Sequence, residues 1–173
     1  MFDEKVVKKA IKGNDKAFII IMNQCKEQIY RTAFAYVKEE ETALDIVQEV
    51  VCKAYKSIEN LREPKFFNTW IMRIAINVAT DFYNKKSKVV CMEKEELLSK
   101  IDAKYDDNDE RLFLMESLDK LDEKYKKIIV LKYFDDLTFK DIAEILEMPE
   151  NTVKTNLYKG LSILRNDIKK ELI

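Results

Sequence analysis

Apolar residues recur at steps of three and four over most of this chain, the spacing that keeps side chains on one face of a helix. After Asn14, a residue suited to capping, the stripe runs Phe18, Ile21, Met22, Cys25, Ile29, Ala33 and Tyr36. It predicts a helix packed along its whole length. A second helix is predicted from Thr42, with Leu44, Val47, Val51, Ala54, Tyr55 and Ile58 turned inward. Asn60 to Pro64 breaks the pattern, because the residue before a proline resists the helical conformation. A third helix follows from about Phe66 to Lys86 on Phe67, Trp70, Ile71, Ile74, Val78 and Phe82. Residues 87–109 lose the period: Glu93, Glu95, Glu96, Asp102, Asp106, Asp107 and Asp109 are weakly interleaved with apolar positions. That stretch reads as an acidic linker, with room for a short helix at Lys94 to Ile101. Periodicity returns at Glu110 through Met115, Leu118, Leu121, Tyr125, Ile128, Ile129 and Leu131. Two further helices are predicted, at Thr138–Leu146 and about Glu150–Leu172. The expected fold is all-α: two small helical domains, 1–88 and 110–173, joined by the linker 89–109.

Composition narrows the chemistry. Only two glycines and two prolines occur in 173 residues, too few for the turns of a strand-rich fold. The chain has no histidine, which removes the commonest general base and a common metal ligand. Two isolated glycines make no phosphate-cradling loop. Cys25, Cys52 and Cys91 lack metal-ligand or Cys-x-x-Cys spacing, and one of three must stay unpaired. They read as free thiols of a reducing compartment. The longest apolar run near the start, Phe18 to Met22, is far short of a membrane span. These features do not exclude an enzyme but remove the cheap routes to catalysis, and we expect a cytoplasmic protein with no cofactor, no metal site and no membrane insertion.

Net charge is −1, unpromising for a nucleic-acid binder until it is mapped. Residues 1–90 carry 16 basic and 12 acidic side chains, residues 91–125 carry 6 and 12, and residues 126–173 carry 9 and 8. An acidic middle separates two mildly basic ends.

The most informative stretch is LTFKDIAEILEMPENTVKTNLYKGLSIL, residues 137–164. Thr138 and Asp141 make a capping-box-like start, Ala143 permits two helices to cross closely, and Ile142, Leu146, Met148, Val153 and Leu157 supply a shared core. Glu147-Met148-Pro149 is a three-residue break, and proline suits the start of the next helix. Short helix, tight turn and second helix form the layout that seats a recognition helix in the major groove. On that helix Lys154, Thr155, Tyr158 and Lys159 point away from Val153, Leu157 and Leu161, suited to phosphates and base edges. The plainer reading of the charges alone is a solvated basic face, and a helix-turn-helix by itself names no function. Two positions fit imperfectly. Glu147 stands where glycine is common, and Gly160 lies inside the recognition helix; each costs on the order of 1 kcal/mol.

In the amino-terminal half, Asp45, Gln48, Glu49, Cys52 and Lys53 share one face of the second helix. On the third, Arg73, Asn77 and Asp81 form a stripe at spacing four. At these residues the chain resembles the extracytoplasmic-function sigma factors, which keep only region two and region four. Asp45-Ile-Val-Gln48-Glu49 is similar to the family's D-x-V-Q-E signature, and Phe67-Asn-Thr69-Trp70-Ile71-Met-Arg73-Ile74-Ala75-Ile-Asn77 to F-x-T-W-L-x-R-I-A-x-N. The resemblance covers nearly the whole chain outside the linker.

It implies a non-catalytic subunit, without a small-molecule substrate, that binds core RNA polymerase through Asp45, Gln48, Glu49, Cys52 and Lys53. It implies that Arg62, Lys65, Trp70, Arg73, Asn77, Asp81, Lys85 and Lys86 read and open the minus-ten element of promoter DNA. Lys132, Lys154, Thr155, Tyr158 and Lys159 would contact the minus-thirty-five element. Aromatic and basic side chains suit a grip on unstacked single strand, although Phe67 and Trp70, spaced with Ile74, read more plainly as core. Lys85 to Lys88 have a plainer reading too, as complements to a helix carboxy terminus. The family also implies an anti-sigma partner, often membrane-anchored. One departure concerns the loop before the melting helix, which reads Leu61-Arg62-Glu63-Pro64-Lys65 where the family usually carries a glycine. A stand-alone helix-turn-helix regulator acting as a dimer accounts for residues 110–173 only. A helical enzyme using the acids of Asp102 to Glu110 lacks both a dry pocket and a basic partner.

Overall fold

The structure, a computed structural model, describes residues 2–93 and 117–171, with side chains described for 2–85 and 117–167. The amino-terminal module holds four helices, α1 (Glu4–Ile11), α2 (Asp15–Val37), α3 (Glu40–Ser57) and α4 (Phe67–Glu93). The carboxy-terminal module holds α5 (Glu123–Tyr133), α6 (Phe139–Leu146) and α7 (Glu150–Glu171), preceded by a helical end at residues 117–119.

Helix α2 is the spine. Its Asn14 cap is in place, the side chain accepting from the Ala17 amide at 2.9 Å, and all seven residues of the predicted stripe are buried. Helices α1, α3 and α4 pack around it. Helix α1 has a capping Asp3 that accepts from the Lys5 amide, and it buries Val7 and Ala10. The chain leaves it through Gly13, whose φ of +83° suits a residue without a side chain.

Helix α3 keeps part of its predicted inward face, since Val47 and Ala54, with Ile58 just after it, are buried. The buried face is Ala43, Ile46, Val47, Val50 and Ala54, whereas Leu44 is 40% and Tyr55 55% exposed. The alanines go inward because α3 lies close against both α2 and α4, and small side chains permit that approach. Pro64 opens a short 3-10 turn, Pro64–Phe66, which leads directly into α4. Helix α4 runs seven residues past the predicted end at Lys86, so helical backbone enters the stretch read as linker. The predicted helix at 94–101, the rest of the linker and the chain from Glu110 to residue 116 lie outside the described residues.

The helix-turn-helix forms as its sequence predicts. Thr138 and Asp141 complete a reciprocal capping box, α6 ends at Leu146, and Glu147 takes the left-handed conformation at φ 53°. Ile142, Val153 and Leu157 are buried, with Ala143, Leu146 and Met148 partly so. Gly160 has a packing reason: a Cβ there would lie 3.0 Å from Ile129 Cδ1 and 3.0 Å from Tyr125 Cβ. Glycine lets α7 cross α5 at close range, which offsets its low helix propensity.

Candidate nucleic-acid interface

On α7 the outward row is Thr155, Tyr158 (65% exposed) and Lys159, with Lys154 half-buried beside Glu150. The Lys154 ammonium meets the Glu150 carboxylate at 2.7 Å and lies 5.5 Å from the centre of the Phe139 ring. An exposed ion pair of this kind is worth little, so a phosphate can replace the glutamate at small cost. Lys132 is placed differently from the other four residues of this set. Its ammonium donates to the Leu137 carbonyl at 2.9 Å and sits 5.4 Å from the Phe139 ring centre, tying α5 to the loop before α6.

On the amino-terminal module Arg62, Lys65, Asn77, Asp81 and Lys85 are exposed, and Trp70 is partly buried against Phe67, ring centroids 6.0 Å apart. Phe67 is core, 1% exposed. The side chain of Lys86 lies outside the described residues. Lys65 pairs with Glu63 at 2.7 Å and covers the half-exposed Phe66 ring. Asn77 shares a shallow cleft between α3 and α4 with Lys53, Lys56 and Ser57. Lys53, which shares its face with Glu49, also lines the Asn77 cleft, and Lys56 is a cation that the sequence reading missed.

The exposed face of α3 carries Asp45, Gln48 and Cys52, with Glu49 half-buried and bridged to Lys53 at 3.7 Å. An apolar groove runs beside it, lined by Ile19, Met22, Val47, Val51 and Cys52, and Leu44 lines its continuation toward Tyr30. Ile19, Ile20 and Leu44 are 56%, 49% and 40% exposed. Sequence reasoning found the polar half of this face and missed the apolar half. The signal was present: Ile19 and Ile20 lie outside the α2 stripe and have no intramolecular face to fill.

The two modules pack on each other, α4 against α6 and α2 against α5. Several polar contacts cross between them. Thr32 donates to the Asp135 carboxylate at 2.7 Å, both side chains buried, and Arg31 donates to the Phe134 carbonyl at 3.2 Å. Asp135 Oδ1 meets no donor among the described residues. Burial pushes the Asp135 carboxyl up to about 7, with Thr32 and Arg31 opposing the shift. Lys126, 2% exposed, inserts its ammonium between the rings of Tyr36 (4.7 Å to the centroid) and Tyr83 (3.8 Å) and pairs with Asp119 at 2.6 Å. Desolvation lowers its pKa, and Asp119 offsets part of that. Lys38 also reaches Asp119, and Asn84 donates to Glu123 at 3.1 Å. Arg73 turns into this interface: Nη1 meets the Glu147 carboxylate at 2.6 Å and Nη2 donates to the Glu144 carbonyl. Among the described residues no helix is long and apolar enough to cross a membrane.

Comparison with known proteins gives a consistent set of likenesses. The family profile described as Sigma-70 region 2 matches residues 21–89, and that described as Sigma-70, region 4 matches residues 113–164. The chain is 42% identical over 164 residues to the RNA polymerase sigma factor SigV of Bacillus subtilis, covering 92% of this chain and 96% of that one. It is 32% identical to the ECF RNA polymerase sigma factor SigW of the same organism, over 98% of each chain. Among solved structures, CnrH in complex with the cytosolic domain of CnrY superposes with a TM-score of 0.75 at 20% identity over 97% of each chain. The sigma factor RpoE in complex with the anti-sigma factor NepR, from Bartonella quintana, superposes at 0.69 and 18% identity over 89% of this chain and 98% of that one.

Proposed function

This chain belongs to the extracytoplasmic-function branch of the sigma-70 family, and from that premise we propose how its surfaces divide the work of starting transcription. The α2/α3 face, with Asp45, Gln48, Glu49 and Cys52 around the apolar Ile19, Leu44 and Val51, docks on core RNA polymerase. Helix α4 and the loop before it, through Arg62, Lys65, Trp70, Arg73, Asn77, Asp81, Lys85 and Lys86, engage and open the minus-ten element, with Lys53 and Lys56 flanking the Asn77 cleft. Helix α7 anchors the minus-thirty-five element through Lys154, Thr155, Tyr158 and Lys159. Lys132 contributes by holding the loop that presents α6. The chain itself performs no catalytic step; the polymerase supplies the chemistry.

One observation carries this reading. A helix-turn-helix with an outward donor row and an amphipathic, half-apolar docking face stand on the same small chain. A stand-alone operator-binding dimer leaves the second of these without a purpose. Lysines at 154 and 159 favour phosphate contact over bidentate guanine reading, so affinity rests on electrostatics and on polymerase. An inhibitory protein that covers these faces fits the same reading, since RpoE of Bartonella quintana is solved with an anti-sigma factor.

The reading sets an expectation for DNA binding. In a gel-shift assay at physiological salt, the chain alone is expected to bind duplex promoter DNA no better than mixed-sequence DNA, and to gain tight, sequence-specific binding with core polymerase. Specific, tight binding by the isolated chain would contradict it.

A further inference from the structure

The Arg73 guanidinium is held wholly from the other module. Its Nη1 meets a carboxylate oxygen of Glu147, its Nη2 a carbonyl oxygen of Glu144, and its Nε is buried without an acceptor among the described residues. Two oxygens on adjacent arms of a guanidinium fork are what a phosphate group presents to arginine. Glu147 sits at φ 53°, where glycine would be unstrained. A backbone requirement therefore does not account for the glutamate, whereas its side-chain contact does. Further polar contacts cross between the modules, Thr32–Asp135, Arg31–Phe134 and the Lys126 ammonium on the Tyr36 and Tyr83 rings. Contacts of this kind regain water when they part, which lowers the cost of separating the modules.

We propose that the turn of the helix-turn-helix is a built-in competitor for nucleic acid: Glu147 and the Glu144 carbonyl fill the Arg73 fork in place of a strand phosphate. The free chain is thereby self-locked, with α6 covering the strand-opening helix, and α4 becomes available to DNA only when the modules part. The inference rests on the reading that Arg73 faces DNA in the open state.

The test uses the full chain, fluorescein-labelled oligothymidylate as the probe and small-angle scattering as a second readout. Glu147→Gln keeps the shape and removes the charge. It is expected to tighten oligothymidylate binding about threefold, the scale of one exposed ion pair, and to raise the radius of gyration. Adding Arg73→Ala to that variant is expected to abolish the gain in binding. Arg73→Glu and Glu147→Arg are each expected to expand the chain, and their combination to restore the parent's compact radius. If Arg73→Ala in the Glu147→Gln background leaves binding unchanged, the reading of Arg73 as a DNA-facing residue falls. If it weakens binding while Glu147→Gln matches the parent in both readouts, that reading stands and the self-lock is overturned.

Discussion

Asp135→Asn is expected to stabilise the chain at pH 8 by roughly 1–3 kcal/mol, a rise in melting temperature of roughly 3–10 °C for a protein of this size. The Asp135 carboxyl, ordinarily near 3.8, stands at about 7 when the modules are closed, because burial desolvates its charged form and the Thr32 hydrogen bond opposes that only in part. Below about pH 4 the group is protonated whether the chain is folded or unfolded, and it imposes no cost. Between about 4 and 7 the folded chain keeps a proton that the unfolded chain releases, so stability falls as pH rises. Above 7 the full cost is present. Arg31, the facing cation, limits that cost and does not cancel it. Asparagine still accepts from Thr32 and carries no charge, although its amide must find an acceptor, which is why the expected gain is smaller than the full shift allows. Thermal melts of variant and parent across pH 4–8 check this. The difference should widen with pH and vanish toward pH 4; a difference independent of pH would mean that Asp135 is not the titrating group. Because Asp135 and Thr32 belong to different modules, the same substitution should favour the closed arrangement at neutral pH.

The second large effect concerns polymerase. Leu44→Arg is expected to weaken binding to core RNA polymerase about 100-fold, the loss typical of a charge placed at a central apolar contact. The melting temperature should stay within a degree or two of the parent's, because Leu44 is 40% exposed and supports no core contact that its removal would empty. Fluorescence titration against core polymerase measures the first quantity and calorimetry the second. Unchanged affinity would remove the apolar half of the α3 face from the docking surface and leave only Asp45, Gln48, Glu49 and Cys52.

Those two residues also show where the sequence was legible and where it was not. The stripe of α2 and the whole helix-turn-helix could be read because periodicity, caps and a turn proline agreed at every level. Helix α3 is legible in part. Val47, Ala54 and Ile58 are buried as their spacing predicts, whereas Leu44 and Tyr55 face out and close packing turns Ala43, Ile46 and Val50 inward. Amphipathic patterning cannot tell an apolar residue turned to the core from one reserved for a partner. Helix α1 had a signal, Asp3 ahead of Val7 and Ala10, that went unused. The interface between modules left no signal at all. Thr32, Lys38, Lys126 and Asp135 read as surface residues, and only the tertiary arrangement buries Thr32, Lys126 and Asp135 in complementary pairs. The same blindness placed Arg73 on an open stripe with Asn77 and Asp81, when the closed chain turns it toward Glu147.

The central claim, that this chain directs polymerase to particular start sites through two separate grips, is tested most directly by transcription from a randomised promoter library with purified core polymerase. Added chain should yield transcripts that begin at a fixed distance downstream of two short shared motifs, and Lys154→Ala with Lys159→Ala should erase the upstream motif while leaving the downstream one. A start-site profile indistinguishable from that of core polymerase alone would contradict the account.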